Sequence, residues 1–202
     1  CEPAGDLPRE RFGNWARVPE ELEPAGVSRQ ATSLSPVMAI FPIRTFGDPV
    51  LRTVAATVDE IDEGVRRLVE DMTETMYAAP GVGLAAPQIG IARRVFVFDW
   101  ADGTGAHVMI NPVMVETSGE WEFEEGCLSV PGRYWPIRRA GFARLTGLDL
   151  DGNEVEYAGD ELLGRVLQHE FDHLQGTLLI ERLERSVRKE ALRELRDEAL
   201  GL

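Results

Sequence analysis

Ile61, Val65, Leu68, Val69, Met72 and Met76 recur at spacings of three and four, with mostly acidic and basic residues between them. That is the period of a helix with one buried face, and it predicts a helix from about Asp59 to Ala79. The pattern then breaks at PGVGLAAPQIG, which holds too much glycine and proline for a helix interior. RRVFVFDW, HVMINPVMVE and EWEFEEGCLSVPG follow, and their β-branched and aromatic content predicts strands with loops between them. In FARLTGLDLDGNEVEYAG an Asp-Gly pair separates two alternating runs, as in a hairpin. Asp160 is placed to cap the next helix, along which Leu163, Val166, Leu167, Phe171 and Leu174 form an apolar stripe. A last helix starts near Glu184, with Val187, Ala191, Leu195 and Ala199 four apart.

Composition adds boundaries to this pattern. The 202 residues are 44% hydrophobic and 28% charged, the make-up of a soluble globular chain. A chain of this length buries roughly 70% of the surface it would expose unfolded, so no structural metal is needed and any bound metal is expected to be functional. Cys1 and Cys127 are too far apart in sequence to suggest a disulfide framework, which fits a reducing compartment. No apolar run approaches the ~20 residues of a membrane span, and no basic start or apolar signal core is present, so a cytoplasmic location is expected and a membrane role is not. A net charge of -14 repels phosphate backbones and argues against direct nucleic-acid readout. Residues 1–37 carry Pro3, Pro8, Pro19, Pro24 and Pro36 without a sustained period, and read as a flexible extension or an artefact of the assigned start. Residues 38–202 read as a single domain, with Met38 a candidate natural start.

The stripe of the penultimate helix runs through LQHEFDHLQG. Residues four apart on a helix face the same way, so His169 and His173 can present two imidazole nitrogens to one metal ion. Glu170 then stands beside the ion, where a carboxylate can take a proton from water and return it to a leaving amine. A catalytic site of this kind takes a third protein ligand and leaves a position open. A third histidine in the H-E-x-x-H-x-x-G-x-x-H spacing is absent, because Leu179 stands there although Gly176 is at the right offset. Glu190 and Glu194 on the last helix are available at a spacing used by other proteases, and His107 lies in an expected strand. Cys127 is the better candidate, because its Gly- and Pro-punctuated loop can bring a thiolate, a donor suited to zinc or ferrous iron.

The stretches GVGLAAPQ (81–88), EGCLS (125–129) and QHEFDH (168–173) closely resemble, in order and spacing, the three motifs of the peptide deformylase family. The resemblance extends from about Met38 to the C-terminal helix and includes MYAAPGVGLAAPQIG and the INP turn. It implies an α+β fold, small antiparallel or mixed sheets packed around a central HExxH-bearing helix, with a C-terminal helix. It implies an enzyme that removes the N-formyl group from the N-terminal formyl-methionine of newly synthesised polypeptides. Cys127, His169 and His173 would ligate one divalent metal, with water completing the site; Fe2+ would be the physiological ion, and Zn2+, Ni2+ or Co2+ could replace it. Glu170 would be the general acid/base, and the Gln88 side chain and Leu128 backbone N–H the oxyanion donors. Val82, Gly83, Leu162, Val166 and Arg133 would meet the substrate. In some relatives the C-terminal helix docks on the ribosome. Here its arginines and Lys189 are balanced by acids, so at most a transient ribosome contact is expected and a solvated face is the plainer reading.

Overall fold

The computed structural model describes residues 39–100 and 102–200. The expected extension over residues 1–37 lies outside them. Helix α1 spans Glu63–Ala78 and starts four residues later than the apolar period suggested. Asp62 sets the start, because its side-chain oxygen accepts a hydrogen bond from the Val65 N–H at 2.9 Å and satisfies an otherwise unpaired amide of the first turn. Ile61 therefore precedes the helix, yet it still packs against the same apolar cluster.

A five-stranded antiparallel sheet follows, in the order β1-β2-β3-β6-β7. Its strands are β1 Gly83–Ala85, β2 Val95–Phe98, β3 His107–Ser118, β6 Phe142–Leu148 and β7 Glu154–Asp160. Strands β4 Trp121–Cys127 and β5 Val130–Arg139 form a separate two-stranded sheet. The short strand β1 was not signalled by PGVGLAAPQIG, whose glycines obscure a pairing set by β2: Gly83, Leu84 and Ala85 stand opposite Phe98, Val97 and Phe96. The INP segment is not a turn. It bulges within β3, where Asn111 adopts φ 53° and its side-chain amide is bonded to both the N–H and C=O of Val58.

Strand β2 explains the layering. All four of its residues are buried, and alternate side chains go to opposite faces. Val95 and Val97 join α1 residues Val65, Leu68, Val69, Met72 and Met76 in one cluster, while Phe96 and Phe98 join Val166, Leu167 and Leu174 in another. The second group comes from helix α2, Glu161–Leu174, so the sheet is held between α1 and α2. Helix α3, Arg185–Ala199, closes a third cluster with Leu51, Ile137 and the segment Leu178–Leu183. These are the antiparallel sheets about a central helix, with a C-terminal helix, that an α+β chain of this family was expected to form. Among the described residues, no helix is long and apolar enough to cross a membrane.

The expected side-chain cap on α2 is not made: Asp160 occupies the capping position without accepting a capping hydrogen bond. Its backbone is still paired with Phe142 at the end of β7, so the chain passes from strand to helix without a loop in which to aim the carboxylate. The resulting closeness has a steric price at Gly164, where a Cβ would run into the carbonyl oxygen of Gly159 and approach the Ala143 nitrogen at 3.3 Å. Helix propensity alone favours alanine over glycine by about 1 kcal/mol. Overpacking costs about 1–3 kcal/mol and acts on backbone that cannot give way. Gly164→Ala is therefore expected to lower Tm in thermal unfolding, and a raised Tm would contradict this packing account.

Candidate metal centre and active site

Four elements bring the three motifs together. His169, Glu170 and His173 come from the middle of α2, and Cys127 ends β4. The first motif forms β1 and the 3-10 turn Ala86–Ile89, which carries Gln88. His169, Glu170 and His173 are 4%, 3% and 1% exposed, so the histidine pair is not a solvated helix face.

Ligand atoms of Cys127, His169 and His173 all lie within 4.8 Å of one another. Cys127 Sγ is 3.3 Å from His173 Nε2, which is 3.2 Å from His169 Nε2. Metal–nitrogen bonds of about 2.0–2.1 Å and a metal–sulfur bond of about 2.3 Å at tetrahedral angles would set these separations near about 3.5 and about 3.3 Å. The donor set thus fits one tetrahedral ion. Glu190 and Glu194, the other candidate ligands, are not part of this group: Glu190 pairs with Arg193 and Glu194 with Arg133. His107 is also elsewhere, bonded to Thr104 Oγ1 and the Tyr157 hydroxyl and stacked on Trp100.

Glu125 orients the site from behind. One of its oxygens is 2.6 Å from His169 Nδ1 and accepts from Arg139 Nη2; the other accepts from Arg139 Nε and Arg165 Nη1. With Nδ1 of His169 engaged by a carboxylate, it is Nε2 that faces the cysteine and the second histidine. Burial works against a charged Glu125, but the Arg139 guanidinium and His169 outweigh it and hold its carboxyl far below the ordinary range. Arg165 stands over the Trp121 ring at 4.7 Å and donates to the Ile137 and Trp121 carbonyls. Arg139 also donates to Asp172 at 2.8 Å, and Asp172 accepts from Arg182 Nε at 2.9 Å. Sequence reasoning assigned no role to these residues. The signal was available in part: Arg165 interrupts the apolar stripe one turn before His169, where only a partnered charge is tolerable.

Burial likewise disfavours the Cys127 thiolate, and the facing imidazoles of His173 and His169 reverse this, bringing its thiol well below the usual value. The ligand form of the sulfur is therefore the favoured one. Burial also pushes Glu170 up to about 7, against the lowering influence of the two histidines. One buried oxygen of Glu170, Oε2, has no hydrogen-bond partner in the protein. The other lies against Gly83, where a Cβ would collide with it, so only glycine lets β1 pass this close.

Gln88 is 1% exposed and fixed at both ends of its amide. Its oxygen accepts from the Ala85 N–H at 2.8 Å, and Nε2 is thereby aimed at Ser129 Oγ, 3.3 Å, and Cys127 Sγ, 3.7 Å. A cavity of about 220 Å3 is lined by Val82, Gly83, Gln88, Cys127, Leu128, Arg133, His169 and Glu170 among others. Of the residues expected to meet substrate, Leu162 and Val166 do not line it. They pack in the cluster around Phe96 and Phe98, the same cluster that Val82 touches from the cavity side. Core and pocket positions share one helical stripe, and the period could not separate them.

Fold and donor set together define the class, an α+β metallohydrolase-type chain with its HExxH helix at the centre. The family model described as polypeptide deformylase matches residues 40–189. Peptide deformylase 1 of Clostridium perfringens is 49% identical over 144 residues, covering 71% of this chain and 98% of that protein. The crystal structure of a peptide deformylase from Legionella pneumophila superposes with a TM-score of 0.75 at 44% identity, covering 80% of this chain and 96% of that one. The Met-Ala-Ser-bound crystal structure of a class I type b peptide deformylase from Acinetobacter baumannii has a TM-score of 0.68 at 34% identity, covering 72% and 99%. The chain belongs to the polypeptide deformylase family, metal-dependent hydrolases that remove the N-formyl group from nascent peptides.

Two substitutions test the centre without any substrate. Glu125→Gln keeps the shape but gives up the charge that fixes His169, and is expected to weaken Zn2+ binding about 10- to 100-fold in chelator competition. Cys127→Ala is expected to abolish stoichiometric binding. Unchanged affinity in either variant would contradict the assignment.

Proposed function

We propose that this chain removes formyl from N-terminal formyl-methionine with Cys127, His169 and His173 holding one divalent ion and Glu170 moving the proton. The observation that carries this is the buried, partnerless Oε2 of Glu170, a residue that lines the cavity beside three convergent donors. When bound, the ion would supply Lewis-acid polarisation of water and of the formyl carbonyl. Glu170 accepts a proton from the attacking water and delivers it to the departing amine; a carboxyl raised toward neutrality by burial suits both directions. Gln88 Nε2 is a donor held in place by the Ala85 amide, and it stabilises the oxyanion as the carbonyl carbon becomes tetrahedral. Leu128, which lines the same cavity, supplies the second donor from its backbone N–H.

Val82, Gly83 and Arg133 are read as peptide contacts because they line the cavity, and Leu162 and Val166 as residues that back Val82. Gly83 sits in an edge strand of the sheet, so an extended peptide can lie alongside it. The Acinetobacter baumannii relative crystallised with Met-Ala-Ser bound supports a peptide ligand for this chain as well. One thiolate and two imidazoles accept Fe2+, Zn2+, Ni2+ or Co2+, and we read Fe2+ as the physiological ion from the family resemblance. We read the enzyme as cytoplasmic, where nascent formyl-peptides are made. The balanced charges of α3 support a solvated face, with ribosome contact at most transient. Residues 38–202 are read as one catalytic unit, in keeping with the matched span 40–189.

Formate release from formyl-Met-Ala-Ser, by protein loaded anaerobically with Fe2+, tests this reading. Wild type should release formate, Glu170→Ala at equal metal content should release very little, and Gln88→Ala should lose about 100- to 1000-fold in kcat. No formate from metal-loaded wild type would overturn the proposal. Thiolate-bound ferrous iron open to solvent is oxidation-prone, so prolonged air should lower the activity of the iron form. Full retention of activity would contradict the iron assignment.

A further inference from the structure

Arg133 lines the catalytic cavity and is at the same time held from outside it. It lies near the start of β5, directly after Gly132 at φ 73°. Its two terminal nitrogens are ion-paired to carboxylates one turn apart on α3, Nη1 with Glu194 and Nη2 with Glu198, the latter at 3.0 Å. A spacing of four points both glutamates the same way. Helix α3 is itself anchored, since Ala191 is buried and Leu192 and Leu195 pack on the cluster that Cys127 and Trp135 also touch. Arg193 and Asp197 share a shallow cavity with these three residues.

We infer that Glu194 and Glu198 set the charge preference of the enzyme for peptide residues downstream of the formyl-methionine, by holding and neutralising Arg133 at the cavity mouth. This rests on the reading of that cavity as the peptide site. A free guanidinium there would attract acidic side chains. The adjoining shallow cavity, which Arg133 shares with α3, instead carries two cations, Arg133 and Arg193, against three anions, Glu194, Asp197 and Glu198, and a peptide leaving the catalytic cavity past Arg133 is thereby favoured when basic or neutral over acidic. Arg133 lines the channel, while the glutamates are positioning residues that act through it. Partly exposed pairs of this kind correspond to effects of about two- to fivefold each, which is enough for selectivity and too little for folding.

The test compares kcat/KM for formyl-Met-Ala-Lys-amide and formyl-Met-Ala-Glu-amide at low ionic strength, with all proteins loaded to the same metal content. Wild type should favour the lysine peptide. The double variant Glu194→Gln/Glu198→Gln should shift the ratio at least about threefold toward the glutamate peptide, whereas Arg133→Gln should shift it the other way. Both shifts should arise in KM and fade with added salt, a signature that loss of a merely structural contact would not give. Turnover with an unchanged ratio, or with shifts in the same direction, overturns the inference alone. Absence of formate from either peptide with wild type overturns it together with the catalytic reading.

Discussion

One buried carboxylate organises the centre of this molecule. Glu125 is fully enclosed and receives hydrogen bonds from Arg139, Arg165 and His169. A charge in that position would be untenable unpaired, and removing one partner of such a group costs several kcal/mol, on the order of 3–5. With its partners in place it does two things at once. It ties β4, β5 and α2 together, and it dictates which nitrogen of His169 faces the cysteine and the second histidine. The orientation of His169 is thus a product of the same interaction that docks the central helix.

The cavity follows from this docking. Because α2 is pinned against the β4–β5 sheet by Glu125 and against the main sheet by Val166, Leu167 and Leu174, His169, Glu170 and His173 are presented between the two sheets. β1 then passes Glu170 at glycine distance and carries the chain into the 3-10 turn that fixes Gln88. Each functional group is held by a backbone that the fold already requires: Gln88 by the Ala85 amide, Cys127 by the end of β4, Glu170 by the buried face of α2. Preorganisation of this sort lets small donors be worth more than they would be in water.

Much of this was legible from residue order. The 3.6-residue period marked α1, α2 and α3, and the i, i+4 histidines with an intervening glutamate marked the face where Cys127, His169 and His173 converge. What the period could not tell was which side of the apolar stripe met a pocket, and Leu162 and Val166 pack in the cluster around Phe96 and Phe98. Strand β1 was hidden because glycine and proline read as loop, whereas its structure is imposed by pairing with β2. The ion cluster was hidden for a different reason. Arg139 and Asp172 are 33 positions apart, and only the fold joins them, with Arg139 also on Glu125 and Arg182 on Asp172. The link from Arg133 to α3 is of the same kind, since 61 and 65 positions separate the partners.

The claim that stands at the centre is that one oriented tetrahedral donor set is built by Glu125 and its arginines. Anomalous diffraction from crystals of the zinc-loaded protein tests it most directly. The account predicts a single ion per chain between Cys127 Sγ, His169 Nε2 and His173 Nε2, with His169 Nδ1 still on Glu125. An ion bound through other residues, or through His169 Nδ1, would contradict it.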